Sequence, residues 1–326
     1  MNYKKLFYLM LILPILFLNT ACSDDSVTPD DVDETEVLIK YLEANGDFLN
    51  STACPAIIKA DAVNTNILTG VDQVVIDIRT AVDYNIGHIK GAVNVVANDI
   101  LSYYETNNLS NKTVVVIACY TGQGAGWATS LLRIMGYNNV FDLKWGMCSW
   151  NASTNNHWVT NTSNAKASQF VNTVTEKPAV GDLPKIETGK TEGSDILRAR
   201  VEAIFAEGVG LVKIANSDVF AVPNKYFVAN YWSEDHYKLM HIPGAVQYSP
   251  GTSLKSDNDL KTLPTDKIVA VYCYTGQTSA QVAAVLRVIG YDAKSILYGV
   301  NGMSYDAMPG TRFIELNDVH DYELVK

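Results

Sequence analysis

Short runs that are apolar on both faces recur along the chain. Residues 113–118 read Thr-Val-Val-Val-Ile-Ala, residues 268–272 Ile-Val-Ala-Val-Tyr and residues 74–78 Val-Val-Ile-Asp-Ile. They are rich in β-branched residues and do not alternate, which predicts buried strands of a parallel sheet. The first two each lead through a Cys into a helical pattern. In the later one, Val282, Val285, Leu286 and Ile289 fall at i, i+3, i+4 and i+7, and Gly290 follows; in the earlier one, Trp127, Leu131, Ile134 and Met135 form the stripe and Gly136 follows. A Gly just past the last apolar position is a helix stop. Strand, turn and helix in this order, met twice, predict an α/β fold built on parallel strands.

The pattern is a duplication. Residues 119–137 and 273–291 both open on Cys-Tyr-Thr-Gly-Gln and close on Gly-Tyr, at a constant offset of 154. Upstream, His88-Ile89-Lys90-Gly91-Ala92-Val93 matches His241-Ile242-Pro243-Gly244-Ala245-Val246 at an offset of 153; downstream, Gly146-Met147 is paired with Gly302-Met303 at 156. An offset of about half the chain predicts two copies of one domain. Copy one is placed at residues 36–175 and copy two at 196–326. Residues 176–195 hold Pro, Gly and charge without periodicity and are expected to be a linker.

Each Cys stands between a buried strand and a helix, where open α/β sheets bind ligands. The Gly three residues on permits positive φ, so that several backbone N–H groups can turn toward the sulfur. Those groups and the helix N-terminus favour an anion, which makes the thiol a candidate nucleophile. One such Cys would read as a small core residue; two in matched loops point to function.

The motifs resemble the rhodanese (sulfurtransferase) domain, in tandem. In copy one they are Val75-Ile76-Asp77-Ile78-Arg79, Gly87-His88-Ile89-Lys90-Gly91-Ala92, Cys119-Tyr120-Thr121-Gly122 and the closing run from Leu143 through Gly146 to Trp150. The resemblance implies two parallel five-stranded sheets, each flanked by helices. It also implies a reaction in which the Cys takes a sulfane sulfur from thiosulfate, 3-mercaptopyruvate or a persulfide, holds it as a persulfide and passes it to a thiol or cyanide. Cys273 is the first candidate and Cys119 the second. The persulfide loops are Tyr274, Thr275, Gly276, Gln277, Thr278 and Ser279 in copy two, and Tyr120, Thr121, Gly122, Gln123, Gly124 and Ala125 in copy one. Asp77, Arg79, His88 and His241 are expected to support the structure, and the two Tyr to line the pocket mouth. Copy two, its strand read at Val212-Lys213-Ile214-Ala215-Asn216, lacks the Asp-x-Arg pair, and Met240 replaces the Gly before His. A Cys-dependent phosphatase is excluded, because it needs an Arg about six residues after the Cys to grip phosphate; Ala125 and Ser279 stand there. The remaining alternative is a tethered rhodanese-like binding module without turnover.

Composition changes the setting. The chain of 326 residues has a net charge of −10 and no basic stripe, which argues against nucleic acid. Residues 1–21 hold Lys4 and Lys5, then an apolar run over residues 6–18 broken only by Pro14. That run is shorter than the ~20 residues a spanning helix needs and suits a secretory signal. Ala21-Cys22 resembles the cleavage site of a bacterial lipoprotein, with Cys22 lipidated; an ordinary secretory signal with a coincidental Cys is the alternative. The expectation is export, a lipid anchor to a membrane (the outer membrane, facing the periplasm or the cell surface) and an acidic tether over residues 22–35. Loss of the leader removes two Lys and no acid, which makes the charge still more negative. Cys54 and Cys148 could pair as a disulfide outside the cytoplasm, Cys148 could resolve an oxidised Cys119, or both could stay thiols. The five His (88, 157, 236, 241 and 320) form no ligand pattern, so no metal or other cofactor is expected.

Overall fold

The computed structural model describes residues 32–154 and 157–326. The leader, Cys22 and the tether up to residue 31 lie outside the described residues. Two parallel five-stranded sheets form the molecule. The first holds β1 (Ile57–Ile58), β2 (Gln73–Asp77), β4 (Val93–Asn94), β5 (Val114–Ala118) and β6 (Val140–Leu143) in the order β1-β6-β5-β2-β4. The second holds β7 (Lys213–Ile214), β8 (Tyr226–Tyr231), β9 (Val246–Tyr248), β10 (Ile268–Tyr272) and β11 (Ala293–Ile296) in the order β7-β11-β10-β8-β9. The two orders are the same, so the duplication extends to the topology. β5 and β10 are central, and four of the five residues in each are buried, as both-face apolar runs require.

The helix Gln123–Ile134 is buried along its whole length. One side covers β5 and β6, and the other meets the helix Gln277–Ile289 of copy two. A helix without a polar face needs cover on all sides, and the second copy supplies it. Gly126 allows the approach: a Cβ there would stand 3.0 Å from the carbonyl oxygen of Gln277. Ala125, Leu131, Val285 and Ile289 thus share one core that spans both copies.

Each copy ends in an arm that crosses to the other. From copy one, Ser163 N donates to Asn301 O (2.9 Å), Lys166 N to Met303 O (3.0 Å), and Val171 pairs with His241. From copy two, His320 N donates to Ser149 O (2.9 Å), and β12 (Leu324–Val325) pairs antiparallel with β3 (His88–Ile89), Val325 opposite His88. Val171 and Val325 keep the 154 offset of the loops, while Ser163 and His320 stand 157 apart.

Two alignments between the copies change, and one boundary shifts. The run at residues 212–216 does not continue the Asp-x-Arg strand of copy two: Lys213–Ile214 is β7 and takes the edge place of β1. The strand matching β2 is β8, where Asn230 pairs with Tyr272 just as Asp77 pairs with Ala118. Asn230 and Trp232 therefore replace Asp77 and Arg79. Downstream, Gly146 matches Gly299 rather than Gly302, since both have positive φ (62° and 51°) and both press on the Cys loop. Lastly, residues 34–35 of the expected tether belong to the helix Glu34–Ala44, capped by Asp33. Glu34 accepts bonds from Thr188 N (2.7 Å) and Gly189 N (2.8 Å), which ties the helix start to the segment expected as linker.

Candidate active site

Cys119 and Cys273 each follow the last residue of a central strand, and the chain then turns through Gly122 (φ 86°) or Gly276 (φ 80°) into a helix. This turn aims backbone donors at the sulfur. Cys119 Sγ accepts from Gly122 N (3.1 Å) and Ala125 N (3.4 Å). Cys273 Sγ accepts from Gly276 N (3.2 Å) and Ser279 N (3.3 Å), with Ser279 Oγ at 3.5 Å and Thr275 Oγ1 at 3.9 Å. A developing negative charge on either sulfur therefore meets fixed dipoles at a helix N-terminus.

The closing turns floor the loops. Met147 N donates to Cys119 O (2.8 Å) and Cys148 N to Tyr120 O (3.2 Å); Val300 N and Asn301 N repeat this at Cys273 O and Tyr274 O, both at 3.1 Å. The two loops also clasp each other across the interface. Gln123 Oε1 accepts from Tyr298 N (2.7 Å), and Gln277 Oε1 from Trp145 N (3.0 Å). Tyr298 and Trp145 hold positive φ (62° and 63°), an uncommon state for bulky residues. Each Gln thus pins the strained turn beneath the other copy's Cys.

Behind the loops the copies differ. Gln277 Nε2 also donates to Asp142 Oδ2 (2.8 Å), while Asp142 Oδ1 has no partner. In copy two Ser295 occupies that place and hydrogen-bonds Ser279 Oγ (2.8 Å). Burial holds the Asp142 carboxyl well above the usual carboxylate range. Burial, and then the nearby Asp142 charge, push the Cys119 thiol up; the Lys213 ammonium and the N–H groups of Ala125 and Thr121 oppose that. Burial also drives Cys54 up to about 12 and Cys148 up to about 11. Among the described residues no disulfide joins Cys54 to Cys148.

The remaining residues singled out in the sequence lie in the scaffold. Asp77 and Arg79 form a buried ion pair (2.7 Å), and Arg79 also donates to Gly87 O (2.7 Å). His88 stacks on Tyr84, and its Nδ1 meets Tyr84 O (3.0 Å). His241 stacks on Tyr237, with Nδ1 at Tyr237 O (2.7 Å) and Nε2 at Thr173 O (2.9 Å). Both rings therefore hold the turns on which the crossing arms dock. Tyr120 donates its hydroxyl to Asp83, and Tyr274 shares a 2.5 Å bond with His236 Nδ1 while packing on Trp232. Through these partners the two Tyr brace the loops. Thr121 Oγ1 accepts from Gln123 Nε2 (3.1 Å), Thr275 Oγ1 from Gln277 N (3.1 Å), and Thr278 is half-exposed.

Asp142, Ser295 and Lys213 escaped the sequence reading. Asp142 and Ser295 are related by the 153 offset already seen at the His motif. Lys213 carries no sequence signal, because it reaches the first loop from the second copy. Among the described residues no group of His, Cys, Asp or Glu could hold a metal ion, and no helix is long and apolar enough to cross a membrane.

Comparison with known proteins agrees with this geometry. The sequence profile of the rhodanese-like domain matches residues 60–153 and again 231–304. A thiosulfate sulfurtransferase, GlpE, of Tolumonas auensis is 30% identical over 74 residues, 23% of this chain and 68% of that protein. The adenylyltransferase and sulfurtransferase UBA4 of Meyerozyma guilliermondii is 30% identical over 93 residues, 26% of this chain. The chain spans only 22% of that protein's length. Among solved structures, a thiosulfate sulfurtransferase from Pseudomonas aeruginosa covers 88% of this chain, with 48% of its own length matched, at 16% identity and a TM-score of 0.29.

Proposed function

This chain belongs to the rhodanese-like domain family and carries the domain twice, and on that footing we propose that it is a sulfurtransferase working through a cysteine persulfide. The observation that carries the reading is the pair of backbone N–H groups aimed at each Sγ from the start of a helix. With thiosulfate, the Cys thiolate attacks the outer sulfur, the S–S bond breaks, and sulfite leaves with the electron pair. With 3-mercaptopyruvate the C–S bond breaks instead, and the pyruvate enolate takes up the thiol proton. In either case the N–H groups hold the resulting persulfide anion. Cyanide or a thiolate then attacks the terminal sulfur, and the Cys leaves as thiolate. Cys273 and Cys119 are the proposed nucleophiles. Their loops hold the persulfide, while Asp77, Arg79, His88 and His241 support the loops.

The test is to supply thiosulfate or 3-mercaptopyruvate, then cyanide, and measure thiocyanate together with the mass gain of one sulfur at each Cys. Cys119→Ser and Cys273→Ser should each abolish the gain at the replaced position, and the double variant should make no thiocyanate. A wild-type protein that gains no sulfur from either donor supports the second reading, a binding module. That reading is favoured by the burial of both Cys, which are 6% and 3% exposed.

The leader and Cys22 support export and lipid anchoring, with display at the outer membrane. Lipid on the N-terminal Cys of protein recovered from membranes tests this; an unmodified N-terminus overturns it.

A further inference from the structure

The two sulfurs differ in what stands across the interface from them. A methyl group built on Gly124 would lie 3.6 Å from Cys119 Sγ, 3.6 Å from Lys213 Nζ and 3.6 Å from Val209 Cγ2. Three atoms from two copies thus enclose one methyl-sized space beside the sulfur. A sulfane sulfur is about as large as a methyl group. In copy two, Thr278 occupies the place of Gly124. The strand position matching Lys213 is Ile57 in copy one, since Lys213 pairs with Ser295 as Ile57 pairs with Asp142. The apolar residue leaves Cys273 without the matching cation. Among the described residues Lys213 makes no salt bridge, so its ammonium is available to a ligand.

We propose that Lys213 of the second copy is the anion-recognition group of the first copy's site. It holds the charged end of an anionic sulfur donor, such as a thiosulfate-type dianion, against Cys119. Cys273 lacks this group and does not share the preference. The proposal rests on the sulfurtransferase reading. A chain of net charge −10 repels an anionic donor overall, so one ammonium beside the sulfur decides whether the donor is held there. The composite site also fits Gly124 standing where copy two has Thr278: the missing side chain leaves the space between Cys119 and Lys213 open.

Anionic iodoacetate and neutral iodoacetamide probe this without sulfur transfer, because their rate ratio at one Cys cancels changes in thiolate fraction. The two rates are read at Cys119 and Cys273 of the full chain by mass spectrometry. Lys213→Met should lower the iodoacetate-to-iodoacetamide ratio at Cys119 by about three- to tenfold and leave the ratio at Cys273 unchanged. Lys213→Arg should restore it. In a Cys273→Ser background, Lys213→Met should raise the KM for thiosulfate more than it lowers kcat. An unchanged ratio at Cys119, an equal fall at both Cys, or no labelling of Cys119 by either reagent overturns the proposal. A ratio that falls in a protein that never gains sulfur would instead keep Lys213 as an anion site and sink the sulfurtransferase reading.

Discussion

Cys119 and Cys273 share a setting built by the backbone: a buried central strand, a Gly at positive φ, a helix N-terminus and a closing turn beneath the loop. Their side-chain surroundings diverge together. Around Cys273 stand Thr275, Ser279 and, behind them, Ser295, in a chain of hydroxyls. Around Cys119 stand Gly124 and Ala125, a buried carboxyl at Asp142 and an ammonium from the other copy. The backbone part is what the fold needs to present a thiol to N–H groups, and it has stayed the same. The side-chain part selects what the thiol meets, and there the copies have parted. Duplication followed by divergence of side chains, both late in the loop and behind it, yields two chemically different sites in one molecule.

The strongest way to break the comparison lies in the strand below the loops. Asp77 and Arg79 form a buried ion pair, with side chains 1% and 2% exposed, where copy two has Asn230 and Trp232. Removing one member strands the other charge in the interior. Arg79→Ala should cost about 3–5 kcal/mol in urea-induced unfolding. A cost near that of an ordinary surface change would mean that Asp77 finds another partner and that copy one is no more charge-dependent than copy two.

The clasp between the loops separates the copies less strongly. Gln277→Ala leaves Trp145 N and Asp142 Oδ2 without their partner, both in buried surroundings. Gln123→Ala leaves Tyr298 N and the half-exposed Thr121 hydroxyl. Stranding a buried polar group costs about 1–3 kcal/mol, so Gln277→Ala should destabilise more than Gln123→Ala in the same titration. Equal losses would show that the Asp142 bond contributes nothing and that the clasp is symmetric in energy as well as in form.

The elements that carry the thiols were legible because their signals are local. The runs over residues 113–118 and 268–272, the Gly three residues after each Cys, and the apolar stripes closed by Gly136 and Gly290 each specify their own conformation. The misplaced Asp-x-Arg strand of copy two shows where that stops. β7 is two residues long, and its apolar run looks like a core strand, while β8, Tyr226–Tyr231, carries Asn230 in the place of Asp77. The spacing of 153 from His88 to His241 leads from Asp77 to Asn230, so the repeat itself held the answer that residue type hid. The crossing arms, the Gln clasp and Lys213 had no local signal at all. They join residues far apart in the chain and depend on how the two copies face each other.

The smallest effect sharpens the contrast between Asp142 and Ser295, because only one of them titrates. Burial raises the Asp142 carboxyl in the folded chain above its ordinary value. A group of this kind stabilises the fold fully below the unfolded pKa of about 3.9, and that contribution is lost as pH rises toward the folded pKa. The wild type should therefore lose stability above pH ~4 on account of this residue. Asp142→Asn keeps an oxygen for Gln277 Nε2 and carries no charge, so it should gain on the wild type between acid and neutral pH. Above the folded pKa of Asp142 the same change removes a negative charge beside Cys119, so iodoacetamide should label that thiol faster there. Ser295→Ala in copy two should change stability by the same amount at both pH values. Urea midpoints at pH 4 and pH 8 decide it. If the difference between wild type and Asp142→Asn is the same at both, the carboxyl is not buried as a charge-sensitive group, and the two copies differ behind their loops in shape alone.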